Sequence, residues 1–252
     1  MILARITKAI REQNWFAVVL EFVIVIAGVV IGFQVTAWNV DRAQEARAAA
    51  YLDRFILDLS TDAALYEIDR EIRLTVRENG AQSLAATGTT GSIEADWQLI
   101  RAFWNASQTS GRPTINSTYV ELTSSGELGL IADTDLRGAL TQYYTNTMNA
   151  ALMAAPTYRT HVRGLIPLPL QSYLWEFCYF ADGDSHQHFL DCAAPDDAAE
   201  ISNTVSRLTE SELLREELIF WMSTQEVAAI FFENRRRQTQ ELIAALEAER
   251  DE

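Results

Sequence analysis

From Trp15 to Trp38 the chain reads WFAVVLEFVIVIAGVVIGFQVTAW, and no other stretch restricts its fold as strongly. A helix over these residues is roughly 35 Å long, enough to cross a hydrocarbon core and reach both interfaces. The stretch exceeds the apolar region of a secretory signal and meets Gln34, Thr36 and Trp38 without a small-x-small cleavage site. It therefore reads as an uncleaved anchor. Trp15 and Trp38 fall where aromatic belts flank a bilayer and are the expected interfacial anchors. No other segment is apolar for long enough to suggest a second span.

Orientation follows from flanking charge. Arg5, Lys8 and Arg11 precede the span, whereas Arg42 and Arg47 behind it are interleaved with Asp41 and Glu45. The positive-inside rule expects the N-terminus in the cytoplasm and everything after Trp38 outside. Residues 1–14 read as a short cytoplasmic amphipathic segment, 15–38 as the membrane helix and 39–252 as an acidic helical domain. The charge of −15 is concentrated in that domain: residues 1–38 carry +1 and the other 214 carry −16. Such a surface repels phosphate backbones, so no nucleic-acid partner is expected. Apolar residues make up 48% of the chain, which is ample for a core.

Within the span, Glu21 is the anomaly. An ionisable group at the centre of a membrane helix costs about 2.5–3.5 kcal/mol on insertion scales, and less near the edge, where Glu21 lies. On a helical wheel it shares a stripe with Val25, Gly28, Gly32 and Thr36. Gly28 and Gly32 form a GxxxG pattern, which lets two helices approach closely. Two readings are open: a helix–helix interface with a second copy or another membrane protein, or a glutamate reaching for the cytoplasmic headgroups with the glycines incidental.

Past Trp38 the patterning is helical. Leu52, Phe55, Ile56 and Leu59 form one stripe, and Leu65, Ile68, Ile72 and Val76 form another. The first helix is thus expected to reach about Glu78, the change of stripe at Ser60–Asp62 would mark a bend, and 79–92 would be a loop. Trp97, Ile100, Ala102 and Trp104 suggest a core-facing helix. Thr118-x-x-Glu121 has capping-box form, Gly126 would end that helix, and Asp133 or Thr134 would open a long one running to Pro156. Further helices are expected over 196–208 and 209–222, with a last one opened by Ser223-x-x-Glu226 and reaching Arg250. Arg235, Arg236 and Arg237 read as surface ion-pair residues. The fold class is all-α: one N-terminal transmembrane helix continuing into a mostly helical, irregular bundle.

Cys178 and Cys192 are the only cysteines. Both fall in the exported part, where a disulfide is expected and two buried free thiols are the alternative. Between them lie Asp182, Asp184, His186, His188 and Asp191. His186, His188 and Asp191 are the candidate metal ligands, but the cysteine–histidine spacing matches no zinc pattern and Asp-Gly-Asp-Ser falls short of a calcium loop. The leading reading is a polar surface loop with no metal. There is no P-loop, GxSxG, HExxH or CxxC, so neither catalytic residues nor a cofactor are expected.

Two segments carry a family resemblance. VVIGFQVTAWNVDR (29–42) and TYVELTSSGELGLIADTDLRGALTQYY (118–144) resemble the signature of an uncharacterised bacterial family of single-pass envelope proteins. That family has a Val/Ile-rich span with an early acid, then Gln and Trp-Asn, and later a Thr-Tyr-x-Glu-Leu-x-Ser-Ser-Gly segment. The resemblance implies fold and topology, with the span in a bacterial inner membrane and the domain in the periplasm, and it implies no activity. The expected function is non-enzymatic: self-association, or service as an accessory subunit of a membrane complex, with the bilayer as the third partner. The alternative is a periplasmic ligand sensor signalling through a partner; an envelope enzyme is a third.

Overall fold

A computed structural model describes residues 15–146, 155–182 and 186–251. The expected amphipathic segment 1–14 and the continuation through 147–154 lie outside these residues. Among them the chain forms eight α-helices, one 3-10 turn and a two-stranded hairpin, so the protein is all-α as expected.

Helix α1 runs unbroken for 71 residues, Trp15–Ala85, and no proline interrupts it. It is the one helix among the described residues long and apolar enough to cross a membrane. Its second half is the spine of the domain. From Leu52 a row of buried positions runs through Phe55, Leu59, Asp62, Tyr66, Asp69, Arg73, Val76, Gly80 and Ser83, spaced alternately three and four apart. The last helix, α8 (Glu212–Arg250, 39 residues), has the same rhythm at Leu214, Leu218, Trp221, Gln225, Ala228, Phe232, Arg235, Thr239, Leu242 and Leu246. A 3-4 repeat of buried residues is the pattern of a coiled-coil seam. The two helices run antiparallel: Arg215 donates to the Leu84 carbonyl at one end, and Arg250 pairs with Asp53 at the other.

Several boundaries differ from the sequence reading. Ser60–Asp62 is no bend; the stripe shifts there because polar residues occupy seam positions. The helix continues through the loop-like 79–85 because α8 packs on it at Gly80, where a Cβ would collide with Met222 Sδ. Ser223 starts no helix. Helix α8 begins eleven residues earlier, where Ser211 Oγ accepts from the Leu214 amide, and contact with α1 carries it through.

The connecting elements are α2 (Ile93–Asn105), α3 (Ser117–Ser124), a 3-10 turn (Leu128–Leu130), α4 (Thr134–Thr145), α5 (Thr157–Leu165), α6 (Leu168–Phe177), β1 (Tyr179–Ala181), β2 (Gln187–Phe189) and α7 (Ala198–Glu210). They clasp the α1/α8 pair in two groups. Near Trp38, α3, the 3-10 turn and α4 close a core containing Phe55, Leu59, Leu122, Leu140 and Phe232. At the far end, α2, α5, α6, α7 and the hairpin close a second around Trp97, Trp104, Tyr158 and Trp221. Trp97 and Trp104 are fully buried, as the helical pattern predicted.

The Thr118–Glu121 pair is not a capping box. Helix α3 starts at Ser117 with Asn116 before it and no side-chain cap. Thr118 instead donates to Asp58, and Glu121 accepts from both terminal guanidinium nitrogens of Arg54, so the motif ties α3 to the spine. Gly126, at φ +74, does end the turn after α3, with the Glu127 amide bonding back to the Leu122 carbonyl.

Candidate functional site

Three places carry chemistry: the apolar half of α1, a polar belt inside the seam, and the disulfide hairpin.

Between Val19 and Arg47 every residue of α1 is exposed. Glu21, Val25, Gly28, Gly32 and Thr36 fall on one face, as their spacing requires. Nothing lies within 4 Å of a Cβ placed on Gly28 or Gly32, so both remain open to close approach. The Thr36 hydroxyl donates to the Gly32 carbonyl at 2.9 Å, folding its polar atom back on the helix. Trp38 ends the apolar run with the Arg42 guanidinium 5.6 Å from its ring centre. Trp15 is the first residue of α1.

The belt lies along the seam between the two apolar cores. Asp62 accepts from the Tyr143 hydroxyl and the Ile115 amide. Asp69 accepts from Ser110, and Arg73 reaches the Ser110 carbonyl and Gln225 Oε1. Arg235 corrects the surface reading: it is buried, with its guanidinium 4.1 Å from the Tyr143 ring centre and an amine directed at the Tyr143 carbonyl. Arg236 and Arg237 do make surface pairs, with Glu67, Glu233 and Glu241. Burial raises the Asp62 and Asp69 carboxyls above the ordinary range, against the hydrogen bonds they accept. Burial also lowers Arg73 to about 10. These groups are locked into one another, so the belt sets register between α1 and α8. Sequence reasoning missed it because charged residues at seam positions break an apolar stripe; the 3-4 spacing that continues through them was the available signal.

In the hairpin, Cys178 and Cys192 form the expected disulfide. The strands are antiparallel with Phe180 opposite His188 and Ala181 opposite Gln187. Of the expected metal ligands, His186 and His188 come together and Asp191 does not. Asp191 Oδ1 lies 2.5 Å from Arg101, which also holds the Leu190 carbonyl. Asp182 takes its place, with ligand atoms of Asp182, His186 and His188 all within 4.8 Å of one another. Asp184 is outside the described residues.

An open groove of about 690 Å³ lies near Trp38, lined by residues including Asp41, Glu45, Leu52, Gly129, Glu249 and Arg250. No family model, curated protein or solved structure matches the chain.

Proposed function

We propose that the protein is a single-pass envelope protein that works by association, as a self-assembling unit or an accessory subunit, and not as an enzyme. One observation carries this reading: over Val19–Val40 the large apolar side chains of α1 are exposed on all sides, with no partner among the described residues. An apolar surface of that extent needs lipid, protein or both. The face bearing Glu21, Gly28, Gly32 and Thr36 is the part suited to a second helix, since a carboxylate in lipid gains from a protein donor and the glycines permit contact. The resemblance of 29–42 and 118–144 to single-pass envelope proteins agrees with an inner-membrane span and a periplasmic domain. Segment 118–144 builds the clasp nearest the span and is tied to the spine of α1 through Arg54, Asp58 and Asp62.

The sensor reading needs a ligand cavity within the bundle. The α1/α8 seam is filled by the belt and its flanking cores, and the groove near Trp38 is open and lies at the bundle's end, so association is favoured. Extraction in a mild detergent, with the mass of the complex measured and its members identified, tests the proposal. A protein that stays monomeric with no companion overturns it.

A further inference from the structure

We propose that Asp182, His186 and His188 form a binding site for one divalent first-row transition ion, represented by Zn²⁺, on the disulfide hairpin in the half of the domain away from Trp38. The hairpin register makes the site. Residues two apart on a strand share a face, so His186 joins His188, and the pairing of Phe180 with His188 carries Asp182 to the same face. Asp182 Oδ2 then lies 3.9 Å from His186 Nδ1 and 3.8 Å from His188 Nε2. Its other oxygen accepts the His186 amide at 2.9 Å, which fixes the carboxylate between the two rings. The imidazoles lie side by side, ring centres 4.8 Å apart.

The platform beneath is held from four directions: the disulfide, the Trp97 indole on the Cys192 carbonyl, Gln187 on the Thr109 carbonyl and Arg101 on Leu190 and Asp191. A site on so braced a support loses little entropy on binding. Ligand atoms around tetrahedral zinc lie roughly 3.4 Å apart, so closing on an ion asks about 1 Å of side-chain adjustment. These are half-exposed side chains, at 40%, 35% and 44%, that have room to move. Two imidazole nitrogens and one carboxylate suit Zn²⁺, Cu²⁺ or Ni²⁺ and disfavour Ca²⁺ and Mg²⁺, which require oxygen. The exposure also leaves the remaining coordination positions to water or to a side chain from another protein. Gln187 holds the Thr109 carbonyl and the next residue, Ser110, donates to Asp69, so the site lies roughly 45 Å along α1 from Trp38. It is independent of the membrane-helix reading and stands or falls separately.

The test uses the full-length, tag-free protein in detergent, with the disulfide intact and metal removed by a chelator. Zn²⁺ is titrated calorimetrically, and Co²⁺ serves as an absorbing stand-in. One ion should bind, and D182N, H186Q and H188Q should each weaken it roughly tenfold or more. H161Q should leave it unchanged, because His161 lies outside the hairpin and is engaged by Glu217. Excess Mg²⁺ or Ca²⁺ should not displace the ion. Absence of stoichiometric binding, affinity that survives all three substitutions, or loss with H161Q overturns the proposal. Unchanged far-ultraviolet dichroism confirms that each variant is folded.

Discussion

The Tyr143 hydroxyl donates a 2.8 Å hydrogen bond to the carboxylate of Asp62, joining α4 to the polar stretch of the α1 seam. Thr239 of α8 reaches the same hydroxyl from the opposite side at 3.2 Å. One phenol thus links three helices where an ordinary core would have leucine.

This belt gives the protein a pH signature. Burial raises Asp62 and Asp69 above 3.8, so the folded state keeps their protons at pH values where the unfolded chain has released them. Their contribution to stability is full below the unfolded pKa and is lost as pH rises through the folded one. Glu121 and Glu233 are lowered by Arg54 and Arg236 and act in the opposite sense, but both are exposed and screened. The melting temperature should therefore rise as the pH falls through the folded pKa values of these two groups toward 3.8. The D62N/D69N variant should flatten that slope in scanning calorimetry. An undiminished slope would assign the effect to the acidic surface instead.

Gly80 and Met222 are expected to be strongly coupled. Alanine at a helical glycine ordinarily stabilises by about 0.5–1 kcal/mol. At Gly80 the new Cβ would meet Sδ, Cε and Cγ of Met222, all within 2.8 Å, so most of that side chain must move. G80A should lower stability on its own and raise it in an M222A background. Denaturant unfolding of the four proteins measures the coupling, which should exceed about 1 kcal/mol.

The disulfide closes a loop with a sequence separation of 14, beside a core that includes the buried Cys178. The double variant C178S/C192S should lose about 3 kcal/mol on the chain-entropy estimate. Because the hairpin carries the metal ligands, the same variant should also bind Zn²⁺ more weakly. Melting curves with and without Zn²⁺ separate the two effects.

Ser211, which caps α8, and Ser223, where the sequence suggested a helix start, should behave differently. S211A removes the cap of α8 and should cost about 1 kcal/mol. Ser223 is exposed in the interior of the same helix, so S223A should be neutral or slightly stabilising. Equal losses from both would argue for a break at Ser223.

That contrast shows what was legible in the sequence. The apolar span, the all-α class, the cysteine pairing and the burial of Trp97 and Trp104 rest on local composition and spacing, which a single sequence carries. The continuity of α8 through Ser223 does not, because a capping pattern is overridden when a long partner helix lies alongside. The burial of Arg235 was hidden by its neighbours Arg236 and Arg237, which do face solvent. The choice of Asp182 over Asp191 depended on strand register, which places one carboxylate between the histidines and turns the other toward Arg101. Spacing alone ranks the two equally.

Helix α1 passes without interruption from the apolar stretch into the domain's spine, and Ala85 lies 47 residues beyond Trp38. At 1.5 Å per residue that is an arm of about 70 Å. With the apolar end seated in a bilayer, each degree of change in its tilt swings the far tip by about 1.2 Å. A few ångströms of bilayer thinning or thickening, answered by tilt, would be magnified into a sweep of that tip through the surrounding space.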